Sequence, residues 1–351
     1  MDHPHHASAA PVSCKHVQAL RRGGPERLQV QDVTVAPPGT GEIRVRMLAA
    51  GVAFADLMIR EGVYPIQLPW PRTPGYDIVG EIDAVGPDVP DTWQPGMRVA
   101  ALTVHGSYAE YRLLPAAQCV AVPEHVDPAQ AVALVLNYLT AWQMLFQVAH
   151  LERGHTVLIH AAAGGVGTAV LELGRHFGLQ VIGLCSAAKH DRVRSLGGIP
   201  IDYRHEQVSE RVSALTEGRG VDAVLDAVGG RETRRSWQLL APTGTLVCYG
   251  ALSVASKGRV RLHTALPAVL GAARFSALRL FSEVKAVAGY NVDVWRRHRP
   301  EAYRSDLARL VDLLAEGVLD PVIADRLPLA EAAVAQERLG AGRSEGKLVL
   351  I

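Results

Sequence analysis

Thr156-Val157-Leu158-Ile159-His160-Ala161-Ala162-Ala163-Gly164-Gly165-Val166-Gly167 is the stretch that decides the fold. The apolar run Thr156 to Ile159 reads as a buried strand, the glycines as a tight turn, and the apolar-periodic run from Ala169 to Phe177 as a helix. Strand, glycine turn and helix in that order suit a pyrophosphate. Glycines let the backbone approach the ligand, and the helix N-terminus offers unpaired N–H groups and partial positive charge. A glycine turn alone also begins many helices for packing reasons only, so its meaning rests on its surroundings.

Those surroundings are globular. The chain has 351 residues, 48% of them hydrophobic, which suits two domains better than one. A net charge of +1 without blocks of like charge favours neither nucleic acid nor an anionic membrane as principal partner. Cys14, Cys119, Cys185 and Cys248 stand far apart with no Cys-x-x-Cys, which argues against a disulfide framework or structural zinc and points to a reducing, cytoplasmic setting. Residues 1–11 lack the basic and apolar regions of a signal peptide and read as a disordered tail; no apolar run reaches transmembrane length.

Short alternating runs fill the first third: Leu28 to Val33, Glu42 to Met47, Ile78 to Val85, Arg98 to Leu102, Ala109 to Leu114 and Cys119 to Val122. Pro/Gly turns separate them, which predicts a small barrel-like β domain. From about Asp127, helical patterns alternate with short strands at 156–160, 180–185, 199–203, 221–226, 244–249 and 286–290. That alternation means βαβ units and a parallel sheet covered on both faces. Helices through 302–316 and 329–339 precede a terminal strand, Lys347 to Ile351.

If the turn holds pyrophosphate, the end of the next strand, about 20 residues on, reads the adenosine ribose. There the chain has Gly183-Leu184-Cys185-Ser186-Ala187-Ala188-Lys189-His190, with no acid before Asp191. A carboxylate would repel a 2′-phosphate, whereas Ser186 and Lys189 offer a hydroxyl and a cation, so NADPH is expected over NADH. The alternative is a capping serine and a solvated lysine. Tyr203 is a further candidate for the phosphate or adenine.

Taken together, Gly51-Val52-Ala53-Phe54-Ala55-Asp56, Arg60-Glu61-Gly62-Val63-Tyr64-Pro65, Pro74-Gly75-Tyr76-Asp77-Ile78-Val79-Gly80, Gly106-Ser107-Tyr108-Ala109-Glu110-Tyr111, Leu139-Thr140-Ala141-Trp142, the glycine turn, Asp226-Ala227-Val228-Gly229-Gly230 and Gly346-Lys347-Leu348-Val349-Leu350 resemble the medium-chain dehydrogenase/reductases, in their zinc-free quinone oxidoreductase and zeta-crystallin-like branch. The resemblance implies an α/β fold. A GroES-like β-barrel catalytic domain (12–135 and 291–351) is expected beside a doubly wound Rossmann cofactor domain (136–290), with the active site in the cleft. It also implies contacts to NADPH from Ala163, Gly164, Gly165, Val166 and Gly167, from Thr140 at the start of a helix near the nicotinamide, and from Tyr249 and Gly250.

Zinc-dependent relatives take catalytic ligands from positions that here carry Ala53 and Tyr76 with Asp77, and no cysteine stands between Cys119 and Cys185. No metal is therefore expected. Without a Lewis acid the favoured acceptors are conjugated, since a quinone, enone or enoyl thioester spreads the developing charge over itself. Tyr64 is the candidate proton donor or orienting group, against the alternative that it only stiffens the turn before Pro65. Ala53 and Met58 stand where relatives commonly carry Asn and often Tyr, leaving a more apolar substrate pocket that suits a bulky hydrophobic small-molecule acceptor. That departure keeps open an enoyl reductase of a polyketide or other secondary pathway. Asp56 is read as serving backbone hydrogen bonds and Asp77 as a structural carboxylate.

The stretch Ser253 to Val284 is longer than the minimal fold needs, resembles the insertion of the vesicle-amine-transport branch, and is expected to form an inserted helical segment over about 254–284, acting as a lid. A catalytically idle, cofactor-binding or membrane-associated protein is the reading from another class. The resemblance further implies a homodimer formed by edge pairing of the cofactor sheets, with Leu246-Val247-Cys248-Tyr249 as a candidate edge.

Overall fold

Glu42–Val52 is the longest strand of the chain's β-rich unit, and its eleven residues serve three neighbours. In the computed structural model, which describes residues 9–62, 64, 69–250, 252, 255–256, 259–260 and 275–351, its first half pairs with Tyr111–Pro115 and its last residues pair with Lys347–Leu350. Along its other edge it pairs antiparallel with Asp77–Val85, with register shifts at Arg44/Val45 and Met47/Ala49. Irregularities of this kind bend a strand and raise its twist, which is how one strand turns a corner of a barrel. The sheet continues through Arg98–Leu102 to Val120–Val122 on one side and to Ile323–Leu327 on the other. Ile43, Val45, Ile78, Ile82, Val99 and Leu114 form its interior.

The chain divides into two units: 1–136 with 296–343 and 347–351, and 137–295 with 344–346. The first is the expected GroES-like barrel, and the C-terminal strand completes it. Val12–Ala19, a strand that begins directly after the stretch read as a tail, pairs with Leu28–Val35; residues 1–8 of that stretch lie outside the described residues.

The second unit is the Rossmann domain. Its six-stranded sheet runs in the order Ile199–Asp202, Gln180–Cys185, Thr156–His160, Val221–Asp226, Leu240–Cys248, Ala286–Gly289, and every pairing is parallel. The strand order reverses direction at Thr156–His160, whose five residues are all buried. Ligands of open α/β sheets bind outside the carboxyl ends of the strands at such a switch point.

Three expectations are corrected. Leu246, Val247 and Cys248 are not an edge: their strand pairs on both sides, and the edge beyond it is Ala286–Gly289. The sequence could not show this because one more parallel strand arrives from some forty residues downstream. Thr140 does not start a helix; it lies inside Pro128–Val148, in an α-helical stretch between π-helical stretches at Leu134–Tyr138 and Gln143–Val148. No breaker stands in that apolar run, so the helix continues through it. Tyr203 falls just beyond its strand and is exposed.

Contrary to the expectation that no apolar run reaches transmembrane length, helix Pro128–Val148 is long and apolar enough to cross a membrane, although 72% of that window is buried in the protein, as in a core helix. Of the inserted segment, residues 254, 257–258 and 261–274 lie outside the described residues; the remainder includes Ala277–Glu283, a helix whose Glu283 accepts from the Trp237 indole at 2.7 Å.

One buried ion pair of the barrel joins residues 270 positions apart in the chain. Lys347 Nζ donates to Asp77 Oδ2 at 2.6 Å, with side chains only 2% and 0% exposed. Gly51 makes room for it: a Cβ there would lie 2.2 Å from Lys347 Cε and 2.4 Å from Asp77 Oδ1. Removing one partner of such a pair strands a charge in a dry interior. Lys347→Met is therefore expected to lower the unfolding free energy by about 3–5 kcal/mol, and Asp77→Val with Lys347→Met together to recover most of it. Urea denaturation at neutral pH measures both; a single variant as stable as the parent would refute the role given to the pair.

Candidate functional site

Apart from Thr140, the residues assigned to a cofactor from sequence follow the carboxyl ends of parallel strands. Strand Thr156–His160 ends in Ala161, held at φ 54°, and the turn closes with Gly164 N–H donating to Ala161 O at 2.8 Å. Helix Gly165–Phe177 then begins. Its first N–H groups, from Gly165, Val166 and Gly167, are those a helix leaves without intrahelical partners. Gly167 cannot carry a side chain, because a Cβ would stand 2.4 Å from Ala162 O and 2.5 Å from Ala161 O. The backbone folds over itself here and brings the helix N-terminus close to the strand end. Gly346 N–H donates to Ala163 O at 3.0 Å, so a segment from the far end of the sequence pins the turn.

The neighbouring strand ends supply the polar rim. Cys185 and Asp202 are in register, which sets Ser186 and Tyr203 side by side beyond the sheet. Ser186 occupies the N-cap of the turn Ala187–Lys189 but makes no side-chain capping bond, so its hydroxyl is not used for capping. Lys189 is half-buried and donates to Ser344 O at 2.8 Å; burial pushes its ammonium pKa down, and the Glu345 carboxylate counteracts this. Arg204 lies over the Tyr203 ring, 5.5 Å from its centroid. Glu345 at this rim is paired with Arg192 at 3.1 Å, and the carboxylate of Asp202 is turned inward. Its oxygens accept from Arg204 N–H at 3.0 Å and pair with His205 Nδ1 at 2.6 Å, and the His205 bond holds its pKa below the usual range. A helix N-terminus, a hydroxyl and cations, with no carboxylate on residues 186–190, fit a dinucleotide with an additional phosphate on its ribose.

Across the switch point, Asp226 organises the other wall. Its Oδ1 accepts from Val228 and Gly229 N–H at 2.8 and 3.0 Å, and its Oδ2 accepts from Thr233 at 2.7 Å. His160 Nδ1 lies 3.4 Å from Asp226, and Ser236 Oγ lies 3.2 Å from His160 Nε2. The order Ser, His, Asp suggests a nucleophilic triad, but Ser236 is 1% exposed and burial pushes the imidazole pKa down. A serine that no substrate reaches is no nucleophile, and the network instead fixes two strand ends. Tyr249 N–H donates to Asp226 O at 3.0 Å, and Gly250 follows it at the end of Leu240–Cys248. Sequence reading quoted Asp226 but gave it no part; an acid between a buried strand and two glycines was the available signal. Thr140 is buried, at 5% exposure, in the same unit.

The barrel unit brings together the residues assigned to a substrate pocket. Ala53 ends strand Glu42–Val52 and precedes helix Phe54–Arg60, which carries the half-buried Met58. Tyr64 N–H donates to Met58 O at 3.2 Å, so the three belong to one turn of structure. Asp56 fixes that turn: Ala53 and Gly75 N–H each donate to it at 2.8 Å, and Tyr108 Oη donates at 3.1 Å. Burial pushes the Asp56 carboxyl up to about 7, while its N–H donors pull it down. Sequence reading missed Tyr76, which is 2% exposed with its hydroxyl 2.8 Å from that of Tyr64. Among the described residues no three His, Cys, Asp or Glu side chains converge as a metal site.

Comparison with known proteins matches residues 39–124 to the alcohol dehydrogenase GroES-like domain family and residues 198–350 to the zinc-binding dehydrogenase family. The human synaptic vesicle membrane protein VAT-1 homolog is 33% identical over 94% of this chain and 84% of its own length. A quinone oxidoreductase of Pseudomonas aeruginosa is 35% identical over 96% of this chain and 99% of its own. A 2-haloacrylate reductase from a Burkholderia species is 32% identical, with 94% and 97% covered. Among solved structures, Escherichia coli quinone oxidoreductase complexed with NADPH superposes with a TM-score of 0.84 at 28% identity, over 96% of this chain and 99% of that one.

Proposed function

The chain belongs to the zinc-free quinone oxidoreductase branch of the medium-chain dehydrogenase/reductases, a family of oxidoreductases, and on that premise we propose that it is an NADPH-dependent reductase of a quinone or an activated C=C acceptor. The observation that carries the cofactor is the glycine turn at the sheet's switch point, with Lys189 and Ser186 at the next strand end. When bound, NADPH supplies the two electrons and one hydrogen of the reduction. Everything else is the chain's work. Gly165, Val166 and Gly167 N–H groups hold pyrophosphate, while Ser186 and Lys189, with Tyr203 beside them, hold the 2′-phosphate. Thr140, Ala163, Gly164, Tyr249 and Gly250 line the cofactor's course toward the nicotinamide.

On the acceptor side Ala53 and Met58 give an apolar surface that excludes water, and Tyr64 Oη orients the acceptor oxygen and gives it a proton. Pseudomonas aeruginosa quinone oxidoreductase supports a quinone; the Burkholderia 2-haloacrylate reductase supports a conjugated C=C. The lack of polar side chains at 53 and 58 favours the second, an enone or enoyl acceptor. The four cysteines are all free, which supports action in a reducing, cytoplasmic setting.

The assembly proposed is a homodimer. Ala286–Gly289 is the sheet edge on that side, and Leu278, Phe281 and Val284 beside it are 75%, 81% and 57% exposed. Strand backbone at the edge of the sheet among the described residues, next to exposed apolar side chains, suits a second copy of the same edge.

Steady NADPH oxidation against a panel of ortho-quinones and enones is the direct test; binding of NADPH without turnover on any acceptor would favour the idle, binding-protein reading and sink this one. Lys189→Ala is expected to weaken NADPH binding by about 1.5–3 kcal/mol and to leave NADH almost unchanged, and equal losses in a fluorescence titration would refute the phosphate assignment. Phe281→Asp should convert a dimer to a monomer in sedimentation velocity. A wild-type protein that sediments as a monomer removes the dimer.

A further inference from the structure

Tyr64 sits on a bend, tied through its backbone to Met58, and a tyrosine so placed has two side-chain torsions to fix before its hydroxyl has a direction. The fixing group comes from elsewhere in the barrel. Tyr76 immediately precedes strand Asp77–Val85, and its carbonyl accepts from Thr103 and Val104 N–H at 2.9 and 3.0 Å, so its own backbone is held on both counts. Its ring is buried and meets the Tyr64 ring edge-on, with centroids 6.2 Å apart and planes at 82°. The two hydroxyl oxygens lie 2.8 Å apart, a full hydrogen bond.

A phenol has one proton and two lone pairs. When Tyr76 donates to Tyr64, the Tyr64 proton is directed away from the pair and the Tyr64 oxygen is already solvated by a donor. That arrangement has a chemical consequence. Loss of the Tyr64 proton leaves a phenolate, and a hydrogen bond to an ionised oxygen is roughly twice as strong as one to a neutral oxygen. The bond therefore favours the state after proton transfer over the state before it.

We infer that Tyr76 is a positioning residue for the reduction: its hydroxyl aims Tyr64 Oη and stabilises the charge that oxygen acquires on giving up its proton. The inference rests on the reductase reading given above. In the balanced step the acceptor gains two electrons and one hydrogen from the reduced cofactor; the Tyr64 O–H bond breaks, its proton joins the acceptor, and its electron pair stays on the phenolate. Tyr76 keeps its own proton throughout, and water returns the missing one to Tyr64. Ala53 and Met58 bring no hydroxyl to this wall, so Tyr76, from just before strand Asp77–Val85, supplies what helix Phe54–Arg60 does not carry.

Tyr76→Phe, Tyr64→Phe and the double variant test it. Tyr64→Phe is expected to lower kcat roughly a hundredfold and Tyr76→Phe roughly tenfold, with the acceptor KM moved far less than kcat and the NADPH Kd unchanged. The double variant should be no slower than Tyr64→Phe, because Tyr76 acts only through Tyr64. If Tyr76→Phe slowed a protein already lacking the Tyr64 hydroxyl, or left kcat intact while Tyr64→Phe lowered it, the inference would fall. A second arm needs no turnover. With a 3-fluoro ring placed on Tyr64, the fluorine NMR line of the cofactor-free protein should shift and broaden when Tyr76 becomes Phe. An unchanged line overturns the coupling even if the protein reduces quinones, and a shifted line in a protein that reduces nothing would separate a failed reductase reading from the hydroxyl pair.

Discussion

A buried ion pair, Lys347 with Asp77, is the constraint from which the barrel's construction follows. Two charges sit in an interior where each alone would cost several kcal/mol. They are tolerable only together, so the last strand must lie beside Glu42–Val52, where it pairs Leu348 to Val52 and Leu350 to Ala50. Gly51 is then obligatory for lack of space, not for backbone freedom. Asp77 also anchors the strand that Tyr76 leads into, and Asp56, a buried carboxyl on the adjacent helix, spends its oxygens on Ala53, Gly75 and Tyr108. Three ionisable groups thus fix the backbone that carries the proposed acceptor wall.

The cofactor unit obeys a different constraint. A parallel sheet buried on both faces offers ligands only its strand ends, and the order reversal at Thr156–His160 opens one place among them. Three polar devices of the unit lie at those strand ends: the glycine turn, the Ser186 and Lys189 rim, and the Asp226 network. Segment 344–346 belongs to this unit as well, through Gly346 on the turn, Ser344 on Lys189 and Glu345 on Arg192 at 3.1 Å. Residues that follow one another in the chain therefore serve the turn and, at 347, the barrel.

Local chemistry made much of this legible. Periodicity of two and of 3.6, punctuated by glycine and proline, gave six parallel strands and most of the barrel strands within a few residues. The glycine spacing placed the turn at the sheet's switch point, and Ser186 and Lys189 followed the next strand end as read. What failed had a common cause. Leu246–Cys248 looked like an edge because a strand's partners are not written in the strand, and Thr140 looked like a helix start because π-helical stretches carry no local sign. Tyr76 was read as the residue replacing a metal ligand, since nothing in its spacing from Tyr64 says that their hydroxyls meet.

By itself, the sequence determined what depends on near neighbours: two domains, α/β order, a glycine turn between strand and helix, and apolar side chains at Ala53 and Met58. Only the tertiary structure decided what depends on residues far apart meeting in a dry interior. It turned Asp77 into the partner of Lys347, turned the Asp202 carboxylate inward against His205, joined Ser236, His160 and Asp226 into a brace, and set Tyr76 against Tyr64. Hydrogen bonds and ion pairs gain their worth from desolvation, and desolvation is a property of the folded chain that no spacing in the sequence encodes.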